Sequence, residues 1–136
     1  MERLIAKGIK ATPITDTIFL IQGSNRGRSP FSHTILIRDK KNVIIDTGCG
    51  IDILKKIQAE IPISRVILSH SHPDHTGGTW LFDDRPATEI SVPQEEEATI
   101  GSTDRLANRF VSEDLVQLWK DDYLPVTAFR DFTHDS

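Results

Sequence analysis

Short apolar runs broken by turn residues dominate the first half of the chain, and helical spacing dominates the second. Ile14 to Ile21 (Ile-Thr-Asp-Thr-Ile-Phe-Leu-Ile) is β-branched and apolar and predicts a strand. Gly23 to Pro30 is basic and rich in turn residues, which predicts a loop. Phe31 to Arg38 and Val43 to Ile45 read as two strands joined across the polar turn Asp39-Lys40-Lys41-Asn42, a hairpin. Ile53, Leu54, Ile57 and Ile61 then recur at helical spacing, with Asp52 as the candidate cap and Pro62 as the stop. Ile63 to Ser69 is a further strand, and Thr76 to Phe82 begins a short helix. Glu89 to Val92 reads as a strand edge, Gln94 to Ile100 and Ser112 to Tyr123 as helices, and Phe129 to Phe132 as the start of another strand. In the second helix Ser112 is the expected cap, with Leu115, Leu118 and Trp119 as its apolar stripe. Strands, a helix, a strand and then helices read as an α/β, or α+β, chain, with a single domain over 1–136.

Composition narrows the class. Hydrophobic residues make up 38% and charged residues 26% of 136, the balance of a soluble globular domain. Twenty acids against 16 bases leave a net charge of −4, so nucleic acid is a poor partner. Cys49 stands alone and cannot form an internal disulfide, which favours a reducing compartment. The start lacks the apolar stretch of roughly 7–15 residues that a signal peptide carries. No window approaches the roughly 20 apolar residues of a membrane span. A cytoplasmic protein without a membrane partner is the expectation.

The chemistry concentrates in Ser69-His70-Ser71-His72-Pro73-Asp74-His75. In extended chain, residues two apart face the same side, so His70 and His72 can converge on one cation. Pro73 turns the chain and returns Asp74 and His75 over the strand end. Three imidazoles and a carboxylate suit zinc, and also iron or manganese. Elsewhere the plain readings prevail. Cys49 reads as a small buried residue in a glycine turn, His33 as a structural histidine, and Trp80 and Trp119 as core. Glu95, Glu96 and Glu97 read as a solvated helix start, and Arg26 and Arg28 as a basic loop that could overhang a site.

His-x-His-x-Asp-His at a strand end, followed by Thr76-Gly77-Gly78, resembles the signature of the metallo-β-lactamase superfamily. Asp46-Thr47-Gly48, after an apolar strand, resembles its earlier acidic motif. The resemblance runs from about Ile14 to Trp80. It implies the N-terminal part of an αββα sandwich, a mixed sheet with flanking helices, within a fold that packs two sheets face to face. It implies that His70 and His72 bind a first metal and that Asp74 and His75 bind a second. Asp74 would also orient a water and carry its proton, with Asp46 fixing a ligand from behind. One or two zinc ions are the expected cofactor, and a small molecule is the expected substrate. The implied activity is metal-dependent hydrolysis of an ester, thioester or lactone, with glyoxalase II-like members the nearest kind.

The family's later ligands, a further histidine in a Gly-His-Thr-like turn, a bridging aspartate and a last histidine, do not appear. His134 is the one histidine after His75, and it reads as surface rather than ligand. The domain is therefore expected to be incomplete at its C-terminus, or to be completed by a second chain or a homodimer. A non-catalytic, metal-stabilised module is a competing reading. A remote third is a dimeric aspartic protease acting through Asp46.

Overall fold

The protein is described by a computed structural model for residues 1–84 and 86–134. Six strands form one mixed sheet in chain order: β1 (Ala11–Pro13), β2 (Ile18–Ile21), β3 (Thr34–Arg38), β4 (Asn42–Ile45), β5 (Arg65–Ile67) and β6 (Glu89–Ser91). β1 to β4 pair antiparallel, and β4, β5 and β6 pair parallel. The change of sense follows from the connections. A tight turn joins β3 to β4, whereas α2 (Ile51–Glu60) carries the chain back to start β5. α1 (Glu2–Ala6), α3 (Pro73–Thr76) and α4 (Thr103–Phe110) complete the regular helices.

The register sorts the strand residues onto two faces. Phe19, Leu36, Ile44, Val66 and Ile90 lie opposite one another across five strands, with Ile21 and Thr34 on the same side. This inner face packs into the core with Leu4, Leu54, Ile57, Phe82 and Leu106. The outer face carries Ile18, Leu20, Ile35, Ile37, Val43, Ile45 and Ile67. None of these seven belongs to the core or packs against it, and Ile67 is 37% exposed. Soluble monomers rarely expose contiguous apolar patches beyond roughly a few hundred Å2. The sheet therefore has one closed and one open apolar face.

Several sequence expectations need correction. Of the strand expected over 14–21 only β2 forms, because Thr15 Oγ1 accepts the amides of Thr17 and Ile18 and folds a turn there. β1 lies ahead of the expected segment, and Ile14, between the two strands, is 58% exposed. The strand expected from Phe31 begins at Thr34, since the Ser32 amide is already bonded to the Gly48 carbonyl. α2 is capped by Gly50 rather than Asp52, which sits in the first helical turn where its charge suits the dipole. The helix expected over 112–123 is a broken succession of 3-10, α and π turns from Glu113 to Tyr123. Within its expected stripe Leu115 and Leu118 are exposed, and Trp119 alone packs against the core. Only Gln94–Glu96 of the 94–100 helix is helical, as a 3-10 turn. Phe129 to Phe132 is not a strand: both aromatics are buried, edge to face at 6.0 Å, and the Phe132 amide bonds to the Gly101 carbonyl. Aromatic β-preference reflects burial on a surface, and here the core supplies that burial without a ladder. α4 has no counterpart in the pattern reading. Its Ser102 cap accepts the Arg105 amide at 3.3 Å.

Among the described residues no helix is long and apolar enough to cross a membrane.

Candidate metal centre

Two turns interlock where β4 and β5 end. Asp46 follows β4 in a left-handed conformation, φ 64°, a region that aspartate tolerates better than most side chains. The Thr47 amide bonds to the His75 carbonyl at 2.8 Å, and the Gly78 amide bonds to the Thr47 carbonyl at 3.1 Å. Thr47 Oγ1 and Thr79 Oγ1 lie 2.7 Å apart. Gly48 makes this approach feasible: a Cβ there would stand 1.7 Å from the Asp74 carbonyl oxygen. The acidic turn after β4 thus holds the histidine-bearing turn after β5.

The Asp46 carboxylate is 8% exposed as a residue and fully engaged. Oδ1 accepts the Ser69 amide at 2.8 Å, and Oδ2 accepts the Ser69 hydroxyl at 2.6 Å. Oδ2 also lies 3.1 Å from His75 Nδ1. This contact raises the His75 pKa above its ordinary value, against the opposing effect of burial. Ser69 Oγ lies 2.8 Å from His70 Nδ1. The His70 pKa is lowered, by burial first and then by the neighbouring His75 and His72. Each of these two imidazoles thus has its Nδ1 held by an outer partner, the arrangement that orients metal ligands.

Of the residues singled out in the sequence, His70, His72 and His75 are brought together. The ring centres of His70 and His72 are 4.8 Å apart, and those of His70 and His75 are 4.3 Å apart. Asp74 joins them, with Oδ2 3.7 Å from His75 Nε2. Asp46, His70 and His75 can also each offer one donor atom, all within 4.8 Å of one another. The two groupings share His70 and His75; the second has Asp46 in place of His72 and Asp74. His134 stands apart, lining a recess with Ile100, Gly101 and Arg105. Cys49 is fully buried, burial pushes its thiol up to about 11, and it is not part of the cluster of donor atoms. His33 accepts the Gly23 amide at Nδ1, 3.0 Å away. Asp46 is too committed to Ser69 and His75 to share a proton with a second carboxylate, so the aspartic-protease reading finds no support.

Four contributors were not singled out as site residues in the sequence. Ser69 couples Asp46 to His70. Phe110, at the end of α4, lays its ring 4.8 Å from that of His72. Its neighbour Arg109 pairs with Glu96 and reaches Ser71 Oγ at 3.4 Å, tying α4 to the histidine turn. Glu96, expected to be solvated, is thus in an ion pair. Tyr123 has its pKa raised by burial and then by the charge of Asp74. Ser69 had a local signal, a hydroxyl just before the first histidine. Phe110, Arg109 and Tyr123 lie 34 or more positions beyond His75 and had none.

A mixed sheet with a histidine–aspartate cluster at the ends of adjacent parallel strands defines an α/β protein with a candidate metal site. The sequence profile of the metallo-beta-lactamase superfamily matches residues 28–133, and the chain belongs to that superfamily. It is 37% identical over 76 residues to the lactamase-like protein aptB of Emericella nidulans, covering 49% of this chain and 25% of that one. It is 40% identical over 74 residues to the lactamase-like protein adaB of Aspergillus niger, covering 48% and 23%. The chain thus spans about a quarter of the length of these curated relatives.

Solved structures agree on the fold. A β-lactamase domain protein from Burkholderia ambifaria matches with a TM-score of 0.52 at 20% identity, over 93% of this chain and 42% of that one. MEM-A1, a subclass B3 metallo-β-lactamase from a soil metagenome library, matches at 0.52 and 16%, over 69% and 36%. A metallo-β-lactamase from Pontibacter korlensis matches at 0.52 and 19%, over 75% and 48%. The superfamily is typically hydrolytic and generally binds divalent metals.

Proposed function

We propose that this chain is the metal-holding half of a hydrolase acting on an ester, thioester or lactone. The observation that carries the reading is the meeting of three imidazoles and Asp74 at the end of β5, with Asp46 oriented behind them. The donor set fits a divalent cation: neutral-capable nitrogens, a carboxylate and an outer hydrogen-bonding partner. His70, His72, Asp74 and His75 are the ligands, and zinc, as one or two ions, is the metal. Asp46 is left out of that set because its oxygens are already engaged by Ser69 and His75. A divalent cation in this place supplies Lewis acidity and makes water more acidic near neutral pH. Asp46 and Ser69 orient the imidazoles. Asp74 holds the reacting water's proton, and Phe110 forms an apolar wall beside His72.

The open outer face supports a complementing half. A second sheet, from another chain or a second copy, would cover Ile18, Leu20, Ile35, Ile37, Val43, Ile45 and Ile67 and bring further ligands. The same open face favours a second reading, a non-catalytic metal-binding module. Elemental analysis after chelation and zinc reloading, alongside thioester turnover, separates the two. The hydrolase reading expects at least one zinc per chain and turnover abolished by chelator. Clearly less than one zinc per chain would sink hydrolysis by this chain alone. One zinc without turnover, and His72→Ala altering only the zinc-dependent rise in Tm, would establish the module instead.

A further inference from the structure

On the far side of the 23–30 loop, a recess of about 470 Å3 opens between the start of β1, the end of β2 and α2. It is lined by Lys10, Arg26 and Arg28 together with Gln22, Ile9 and Ile53. No acidic residue lines it. In a chain of net charge −4 this is a local reversal of sign. Several cations elsewhere pair with carboxylates: Arg3 and Lys7 with Glu60, Arg65 with Glu89, Arg109 with Glu96, and Lys120 with Asp104. Among the described residues Lys10, Arg26 and Arg28 form no ion pair. Asp52, one residue before Ile53, lines the adjoining recess with Ser24 and Gly50 instead.

The loop that presents the two arginines is built rather than loose. Asn25, Arg26 and Gly27 lie consecutively in the left-handed region, at φ 53°, 56° and 72°. Side chains rarely adopt this conformation, and it persists only where the surroundings enforce it. Here the Gly23 amide bonds to His33 Nδ1, the Ser24 amide bonds to the Cys49 carbonyl at 2.8 Å, and Gly27 lies so close to the His33 ring that a Cβ would meet it at 2.4 Å. The result gathers like charges around one hollow, which is unfavourable unless an anion neutralises them. Guanidinium groups are suited to oxyanions that accept two parallel hydrogen bonds.

We propose that this recess binds the phosphate group of a phosphorylated small molecule, with Lys10, Arg26 and Arg28 holding the anion and Ile9 and Ile53 flanking the organic part. Three cations without a carboxylate favour a multiply charged anion over a single carboxylate. The volume falls in the range of small-molecule sites, roughly 300–1,000 Å3, and exceeds what phosphate alone would fill. The site is separate from the histidine cluster and does not depend on its chemistry.

The test is a titration of chelator-treated protein with inorganic pyrophosphate at low ionic strength, followed by amide NMR. The expected result is a saturable shift at Gly8 and Gly23–Gly27 with a Kd in the millimolar range or tighter. The double variant Arg26→Asn/Arg28→Gln, in which asparagine tolerates the left-handed position, weakens binding by about tenfold or more. The control Lys40→Gln/Lys41→Gln removes the same charge from the β3–β4 turn and shifts Kd by less than about twofold. Lys10→Gln lies outside the loop and weakens binding even if the double variant fails to fold. Absent shifts, shifts centred on His70–His75, or equal weakening in the control pair would overturn the proposal.

Discussion

The two faces of the sheet carry the same kinds of residue and meet opposite fates. Leu36 and Ile35 are neighbours on β3, both aliphatic, yet Leu36 is fully buried against the helices while Ile35 points to the open side. The helical connections after β4 and β5 supply the cover of the inner face, and among the described residues nothing supplies it on the outer. Hydrophobicity alone thus does not define this core; the chain's crossovers do. The largest expected effect follows. Leu36→Ala leaves a cavity and costs about 2–5 kcal/mol in urea unfolding. Ile35→Ala costs under about 1 kcal/mol, because little packing is lost. If Ile35→Ala proved as damaging as Leu36→Ala, the outer face would be covered in solution, and sedimentation would then show a dimer.

Next in size is the contrast between residues that would touch a cation and the one that positions them. Asp46→Asn keeps the shape of the β4 turn but weakens the hold on His75 and the Ser69 hydroxyl. Loss of such an outer partner typically lowers metal affinity by about 10–100-fold, read by competition with a zinc chelator. If His72 is a ligand as proposed, His72→Ala lowers affinity more, while leaving metal-free stability nearly unchanged, since His72 is exposed. An Asp46→Asn loss equal to that of His72→Ala would place Asp46 among the ligands, as its proximity to His70 and His75 also allows.

Much of this was legible in the sequence because the signals were local. The β3–β4 hairpin, α2 and the chemistry-bearing turn each rest on contiguous periodicity or spacing. Their order pointed to the α/β class, and the family resemblance implied the mixed sheet. What was missed depended on distant partners. Ser102 caps a helix whose apolar positions, Leu106 and Ala107, are too few to announce it. Phe129 and Phe132 resemble strand residues until the core claims them. Phe110 reaches His72 through a fold that brings residues 38 positions apart together. The open outer face was implied by the incompleteness of the motif set, but its residues could be named only once the register was known.

The smallest effect sharpens the contrast within the histidine cluster, where two imidazoles about 4 Å apart titrate in opposite directions. In the folded, metal-free protein His75 holds its proton more tightly than in the unfolded chain, because Asp46 accepts from it. Its stabilisation is therefore complete below the unfolded histidine pKa of about 6.5 and is lost as pH rises through the higher folded value. His70 binds its proton less tightly when folded, because burial and its neighbours oppose the charge. Its neutral form favours the fold above about pH 6.5, and that advantage is lost as pH falls through the lower folded value. The two slopes meet in a shallow maximum of metal-free stability near pH 6.5, measurable by urea titrations at several pH values. The carboxylates with lowered pKa, Glu60, Glu96 and Asp104, act at more acidic pH and leave this window clear. Asp46→Asn should abolish the decline on the alkaline side and keep the acid side. Zinc, which requires both imidazoles neutral, should convert the maximum into a rise with pH. A decline above neutrality that survived Asp46→Asn would show that the Asp46–His75 contact is not what holds the His75 proton.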